Sequence, residues 1–194
     1  MPGLPPIGAP LPDVVISLPV WVENVVDGMG PLADDDAAMR LAIDLSRENI
    51  QRGTGGPFGA VITTSDGTIV GVGVNGVTRL LNSTAHAEMV AIQMAQRPLH
   101  VYTLRDHPAG SMTLYSSCEP CAMCLGAVLW SGVGRLVTGA RREDAESLGF
   151  DEGPVFDASW EHLVRRGIEV RRGVLPEVAR EVLQAYREAG GPIY

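Results

Sequence analysis

Four residues in two short segments carry the side chains of a metal-dependent hydrolytic site. His86 and Glu88 lie two positions apart, and Cys121 and Cys124 lie three positions apart, directly after Pro120. One imidazole and two thiolates are a typical ligand set for zinc. Three protein ligands leave one coordination position for water, as in catalytic zinc sites, where the pKa of that water falls from ~15.7 to about 7. The spacing therefore predicts a catalytic zinc on His86, Cys121 and Cys124.

Glu88 has the chemistry of the acid–base partner in such a site. A carboxylate beside the water can take its proton and later hand one to a leaving amine, which contributes typically ~10²–10⁴-fold to a rate. Residues two positions apart in mid-helix point about 200° away from each other. His86 and Glu88 can therefore face one site only from the first turn of a helix, with Ser83 or Thr84 as the predicted N-cap.

The two cysteines also require the start of a helix. Pro120 suits a first helical position, and residues three apart share one helix face. Free N–H groups at that end favour thiolate over thiol. A closed structural zinc site with Cys118 as fourth ligand is one alternative, and an iron–sulfur cluster is another, although the chain has only three cysteines. We expect the other histidines to be surface or loop residues, namely His100, His107 and His162.

The elements that must position these residues alternate along the chain. Apolar periodicity, turn residues and caps predict a helix, a hairpin closed by Asp66-Gly67, and then alternating helices and strands. The strands are expected at 58–64, 68–75, 111–117, 133–139 and 168–172, and the site helices at 85–96 and 120–131. This order favours an α/β fold, a three-layer α/β/α sandwich with a mixed five-stranded sheet. Glycines at 71 and 73 weaken the second strand but leave room for something to approach its backbone.

Composition narrows the class of protein. The 194 residues carry a formal net charge of −8, and the arginines are scattered, so no basic surface for nucleic acid is expected. The chain has no lysine, which excludes Schiff-base chemistry. Three cysteines within seven positions indicate metal ligands in a reducing, cytoplasmic compartment rather than secreted disulfides.

The N-terminal segment differs from the rest of the chain. Residues 1–26 are apolar and rich in proline, but they lack a basic leader and contain Asp13 and Glu23. This pattern predicts neither a signal peptide nor a membrane span. We expect residues 1–33 to form an arm that packs on the domain or on a second subunit, with disorder as the alternative, and residues 34–194 to form one catalytic domain with a C-terminal tail.

The chain from about residue 34 to its end resembles the cytidine-deaminase-like superfamily, and three stretches resemble the guanine deaminases in particular. They are residues 55–61 (GGPFGAV), 118–130 (CEPCAMCLGAVLW) and 149–152 (GFDE). The zinc pattern specifies only the superfamily. The loop that contains the third stretch and the aromatic C-terminus are the more selective features.

The resemblance implies a role for further residues. By this likeness Asn75 reads the base edge, Ala87 donates a backbone N–H to the base, and Glu152 binds the substrate amidine and relays protons. Aromatic side chains are implied to line or close the pocket, and these are Phe58, Trp130 and Tyr194. Members of this group often form homodimers that exchange the C-terminal segment, so that Glu152 and Tyr194 would act in trans.

The sequence thus predicts hydrolytic deamination of guanine, a small purine base, to xanthine and ammonia. One departure from the commoner bacterial pattern is Asp151-Glu152 in place of two aspartates, which could widen acceptance toward triazines such as ammeline. The alternatives are a cytosine or nucleoside deaminase, a tRNA adenosine deaminase, or a zinc-stabilised interaction module without catalysis. Nucleic acid and membrane are not expected as partners.

Overall fold

The computed structural model describes residues 13–105 and 107–194. Strands are β1 (Gly59–Thr63), β2 (Ile69–Val74), β3 (Thr113–Cys118), β4 (Arg135–Ala140) and β5 (Glu169–Arg171). Helices are α1 (Val20–Val26), α2 (Asp35–Gln51), α3 (Val77–Leu80), α4 (Ala87–Leu99), α5 (Ala122–Ser131), α6 (Arg142–Glu146), α7 (Asp157–Arg165) and α8 (Pro176–Glu188). Within the described ranges, the helices are all too short or too polar to cross a membrane.

The strands form one mixed sheet, as the alternation of elements predicted. Its order is β2-β1-β3-β4-β5, with β1 antiparallel to both of its neighbours. Strands β3, β4 and β5 are parallel, and helices connect them as parallel crossovers require. The carboxyl ends of β3 and β4 therefore lie at the same edge, where the loop to the cysteine helix begins.

Helices cover both faces of the sheet and make the predicted three layers. One apolar core packs α1, α2 and α8 on the first face, around buried Met39, Val137 and Leu183. A second core packs α4, α5 and α7 on the other face, around Leu114 and Leu136. The alternation of side chains along each strand supplies both cores.

Helix α4 packs so close to β2 that a side chain on either of two strand glycines would clash with the helix backbone. A Cβ atom placed on Gly73 would lie 2.1 Å from the Ala87 carbonyl oxygen, and one on Gly71 would lie 2.6 Å from that of Ala91. The two glycines that weaken β2 as a strand are thus the contact surface of the helix that carries Glu88. The space expected beside this strand is filled by the protein itself.

The described part of the N-terminal arm packs on the body of the domain. Trp21 and Val22 of α1 are buried in the first core, and the Trp21 indole Nε1 donates to Thr54 Oγ1 at 3.1 Å. The first twelve residues of the expected arm lie outside the described residues. The division of the chain at residue 34 stays a prediction.

Two helix starts differ from the expected positions. Neither Ser83 nor Thr84 caps α4, because the Thr84 hydroxyl bonds Asn82 Oδ1 at 2.8 Å, and His86 itself is the N-cap. Likewise Cys121 is the N-cap of α5, and Pro120 lies one residue before it. In both helices the metal-ligating residue takes the cap position with an extended backbone, and its side chain makes no cap hydrogen bond. The side chain is therefore available to a metal. Helix α4 also continues through Pro98 to Leu99, past its expected end.

Candidate active site and metal centre

The two helix N-termini bring the predicted ligands together. One ligand atom each from His86, Cys121 and Cys124 lies within 4.8 Å of the others. His86 Nδ1 lies 3.6 Å from the Cys121 Sγ. An imidazole and two thiols converging at this spacing fit one tetrahedral ion with a position left open. The residues present therefore suit a catalytic zinc.

The thiols differ in their electrostatics. A hydrogen bond with Cys124, together with one from His86, lowers the pKa of Cys121 to about 4. The same Cys121–Cys124 hydrogen bond, with burial, raises the pKa of Cys124. Both sulfurs must be thiolates to bind a metal, so binding a cation here releases the remaining protons.

Cys118 does not belong to this group. It is buried at the end of β3, and its thiol points to the Arg141 carbonyl oxygen at 3.5 Å. Burial raises the pKa of the Cys118 thiol well above its usual value. A neutral thiol bonded to a backbone carbonyl is a packing residue, so the four-ligand alternative lacks its fourth ligand in this chain.

Glu88 lies in the first turn of α4, as its spacing from His86 required. Its side chain is buried, and burial raises the pKa of the carboxyl group. The Ser116 hydroxyl donates to Glu88 Oε1 at 3.1 Å, and the Cys124 thiol lies 3.4 Å from Oε2. One oxygen is thus held by β3 while the other faces the ligand group.

Ser116 was not singled out from the sequence. Its signal was a polar residue on the face of β3 shared with apolar Leu114, in a strand that is buried on both faces. Such a side chain needs a partner when buried. The carboxylate of Glu88 is that partner.

Asn75 presents one free donor. Its backbone carbonyl accepts from Asn49 Nδ2 at 2.9 Å, and its own Oδ1 accepts from the Val77 N–H at 3.2 Å. The Asn75 Nδ2 is buried and has no partner. Because Oδ1 is already engaged, the group left for a ligand is an amide donor, which matches an acceptor on a base edge.

Glu152 reaches the site from the loop after α6. It is 9% exposed, and its carbonyl oxygen accepts from the Ala122 N–H at 2.9 Å. Burial, followed by the charges of Cys121 and Glu88, raises the pKa of Glu152 to about 8. The loop is therefore tied to the first turn of the cysteine helix, and it carries a second acidic group to the same region.

Aromatic residues close this side of the domain. The Phe150 ring meets Phe58 edge-on at 5.1 Å and Tyr194 at 5.3 Å. The Tyr194 hydroxyl is buried without a partner. It lies over Gly56, where a Cβ would come within 1.8 Å of the hydroxyl oxygen. In this single chain the C-terminal segment packs on its own domain.

Trp130 lies on the surface of the single chain, and its predicted place at the pocket stays a prediction. Its side chain is 80% exposed, and it does not join the cluster around Phe150. Six residues at 1.5 Å each separate it from Cys124 along α5, which places it about 9 Å from the ligand end of the helix.

Ala87 is buried at the first position of α4, where backbone N–H groups have no partner within the helix.

The sequence is similar to those of known zinc-binding deaminases. The model of the cytidine and deoxycytidylate deaminase zinc-binding region matches residues 32–140. The guanine deaminase of Bacillus subtilis (strain 168) is 42% identical over 118 residues, which cover 61% of this chain and 72% of that protein. The tRNA-specific adenosine deaminase of Haemophilus influenzae is 32% identical over 152 residues, 78% of this chain and 82% of that protein.

Solved structures extend the likeness to nearly the whole chain. The protein NE0047 in complex with 2,6-diaminopurine superposes with a TM-score of 0.88 at 38% identity, covering 94% of this chain and 96% of that chain. A guanine deaminase from Nitrosomonas europaea gives a TM-score of 0.86 at 37% identity, with 91% and 97% covered.

Proposed function

The chain belongs to the cytidine and deoxycytidylate deaminase family of zinc-binding enzymes, and we propose from this premise that it hydrolyses guanine to xanthine and ammonia. The observation that supports the choice of substrate is a pair of buried polar groups, Asn75 and Glu152. Asn75 offers an unpartnered amide donor, and Glu152 offers a carboxyl group. Guanine has acceptors on one edge and an N1–H with an amino group on another, so the two suit opposite edges of the base.

The metal would be held by His86, Cys121 and Cys124. When bound there, zinc supplies a water molecule of lowered pKa as the nucleophile. The chain contributes the shape and dryness of the site, since Glu88 and Asn75 are both buried. Water exclusion strengthens each hydrogen bond made to the base.

Glu88 would move the protons. It accepts one from the attacking water and delivers it to ring N3 while the hydroxyl oxygen bonds C2. It then accepts the proton of that hydroxyl and delivers it to the amino group on C2, which leaves as ammonia. The hydrogen bond from Ser116 to Oε1 supports this role, because it leaves Oε2 as the oxygen that exchanges protons.

The remaining residues would bind the base. Asn75 Nδ2 donates to an acceptor edge, and Glu152 holds N1–H and the amino group. The backbone N–H of Ala87 lies at the positive end of α4, and Phe58 packs in the aromatic cluster that Tyr194 closes. A pocket built on such hydrogen bonds discriminates strongly, because a wrong base leaves buried groups unpaired.

The protein is further proposed to be a cytoplasmic enzyme of purine catabolism that acts as a homodimer. Three free cysteines suit a reducing compartment. The exposed Trp130 on an α5 that has no charged residue supports contact with a second copy. An exchanged C-terminal segment would place the partner's copy of the tail over Gly56 in the same way. Mixing Glu88→Gln with Glu152→Ala subunits tests the exchange, since only a site built from two chains regains activity in mixed dimers.

A substrate panel tests the proposal. Zinc-loaded protein is given guanine, ammeline, cytosine, adenine, guanosine and cytidine, and released ammonia is measured, with Glu88→Gln as the inactive control. We expect guanine to be turned over fastest, and the Glu88→Gln protein to retain zinc while ammonia release falls by ~10²–10⁴-fold. Turnover of cytosine but not guanine would overturn the substrate. Full activity of Glu88→Gln would overturn the mechanism.

Transfer RNA is the other substrate to include, because one relative is a tRNA-specific adenosine deaminase. A net charge of −8 opposes binding to a polyphosphate chain. We therefore expect no release of ammonia from an adenosine-containing anticodon stem-loop at a salt concentration near physiological.

A further inference from the structure

A buried carboxylate adjoins the cysteine turn and takes no part in the proposed reaction. Glu119 lies between the end of β3 and Cys121, and its side chain is 3% exposed. Both oxygens are engaged. Arg172 Nε donates to Oε1 at 2.6 Å, and the Arg142 backbone N–H donates to Oε2 at 3.2 Å. The Glu119 backbone N–H in turn donates to the Ala140 carbonyl oxygen at 2.9 Å.

Arg172 is itself held on its other side. It directly follows β5, and its guanidinium lies 4.5 Å from the centre of the Trp160 ring on α7. Stacking on an aromatic ring and donating from Nε together restrict a long side chain to one geometry. The contact thus runs from α7 and β5, at one edge of the sheet, to the turn that ends in Cys121.

Stability alone does not account for this pair. The Glu119 carboxylate loses its water, whereas the Arg172 side chain stays 45% exposed and solvent screens its charge, so the pair contributes little net free energy. Glu119 also adds negative charge two residues from a thiolate ligand. What the pair does provide is a fixed orientation for the two residues that precede the ligand, in a turn with few other polar contacts.

We propose that Arg172 is a positioning residue for the metal centre. By holding the Glu119 carboxylate it fixes the turn through Pro120, so that Cys121 and Cys124 keep the spacing of metal ligands before the metal arrives. Groups outside the ligand set that orient ligands commonly change metal affinity by 10–100-fold when removed. Arg172 does so here through the backbone that carries the ligand.

Zinc release measures this directly. Zinc-loaded protein is mixed with an excess of a chromogenic chelator, and the release rate is compared for Arg172→Met, Arg171→Met and the unchanged chain. Arg171 is the matched control, because it is the preceding residue and pairs with Asp35 instead of Glu119. We expect release about 10-fold faster or more from Arg172→Met and unchanged from Arg171→Met. Equal rates in all three proteins would overturn the proposal.

Two conservative variants separate positioning from loss of folding. Arg172→Lys keeps the charge but loses the planar fork, and Glu119→Gln keeps the shape but weakens the bond to Arg172. Both should release zinc at intermediate rates, and faster than their loss of unfolding free energy accounts for. In cobalt-loaded protein the visible bands should shift in the same order. Release that follows unfolding free energy alone, across all four variants, contradicts the proposal.

The readout is independent of the substrate. The inference rests on the metal site of the proposed enzyme, not on guanine as its base. If the protein released no ammonia from guanine, the zinc-release rates would still test the role of Arg172.

Discussion

The two sides of the site are built in different ways. The metal side uses two helix starts, where His86 and Cys121 are N-caps and Glu88 and Cys124 follow within one turn. The side that we propose for the base, called the opposite side below, would be assembled from a strand end, a loop and the C-terminal tail, which carry Asn75, Glu152 and Tyr194. The metal side depends on residues close together in the sequence, whereas the opposite side depends on tertiary packing.

This difference separates chemistry from choice of substrate. A zinc ligand set needs only short spacings, so it can be shared by deaminases of many bases. Recognition of one base needs groups around its whole edge, and no short segment can surround a ligand. Changes on the metal side should therefore abolish turnover of every base, and changes on the opposite side should alter which base is used.

Removing a ligand tests the metal side most severely. Cys124→Ala should bind no zinc and lose detectable turnover, since two remaining ligands do not hold a catalytic ion. Cys118→Ala is the matched control, because its thiol contacts a backbone carbonyl instead of the ligand group. It should retain one zinc per chain by metal analysis. Loss of zinc from Cys118→Ala would mean that the site has four protein ligands.

Asn75→Asp tests the opposite side with little change in shape. The acceptor for the Val77 N–H is kept, but the free Nδ2 donor becomes a second acceptor. We expect kcat/KM for guanine to fall by about 10²-fold with zinc content unchanged, because an acceptor edge of the base then lacks its donor. An equal loss with every base would instead indicate that Asn75 serves the chemistry.

A smaller effect is expected from crowding the tail. In Gly56→Ala the new methyl group would occupy the place of the Tyr194 hydroxyl, so the tail must move. We expect kcat/KM to fall about 10-fold, since displacements near 1 Å can cost up to 10²-fold. Gly126→Ala is the control, because nothing lies within 4 Å of a Cβ at that position. Equal activity of Gly56→Ala and Gly126→Ala would show that the position of the tail does not affect turnover.

Asp35→Asn should leave turnover unchanged and lower stability. Asp35 accepts two hydrogen bonds at the edge of the sheet away from the site. Arg135 Nη2 donates to Oδ2 at 2.8 Å, and the Tyr115 hydroxyl donates to Oδ1 at 2.9 Å. The hydrogen bond from Arg135, against burial and with help from Tyr115 and Arg171, holds the pKa of Asp35 well below its usual value. We expect the free energy of unfolding to fall by about 1–3 kcal/mol at neutral pH.

The pH dependence of that loss follows from the direction of the shift. The folded pKa of Asp35 lies below its unfolded value of ~3.9, so its contribution is present above that pH and declines as the pH falls below it. Urea unfolding should therefore show the full difference between the variant and the unchanged chain at pH 7 and a smaller one at pH 3, and the difference should vanish only as the pH falls through the folded pKa. Asp36→Asn, in the same turn, serves for comparison.

The fold and the metal ligands could be predicted because their signals are local. Turn residues and apolar periodicity gave the alternation of helices and strands, and the spacings of His86, Glu88, Cys121 and Cys124 gave the chemistry. Cap positions were less accurate, since Thr84 was expected to cap α4 but bonds Asn82 instead. Helix starts are decided by competition among nearby polar groups, which spacing alone does not rank.

The residues that act at a distance could not be derived from spacing. Asn75, Glu152 and Tyr194 came from resemblance to a family, and so did Trp130, which the fold exposes. Ser116 and Arg172 became visible only when strands β3 and β5 were placed beside the ligand helices. Their partners, Glu88 and Glu119, are 28 and 53 positions away along the chain.

The two glycines of β2 limit which substitutions the enzyme can accept on this strand. Helix α4 rests on Gly71 and Gly73 with its backbone, so even one methyl group there would lift the end that holds His86 and Glu88. Laboratory evolution toward a new base should therefore find few accepted changes on this strand, however far it lies from the bound molecule. The freedom to vary lies in the loop and tail across the pocket, whose contacts are made by side chains that can be exchanged one at a time.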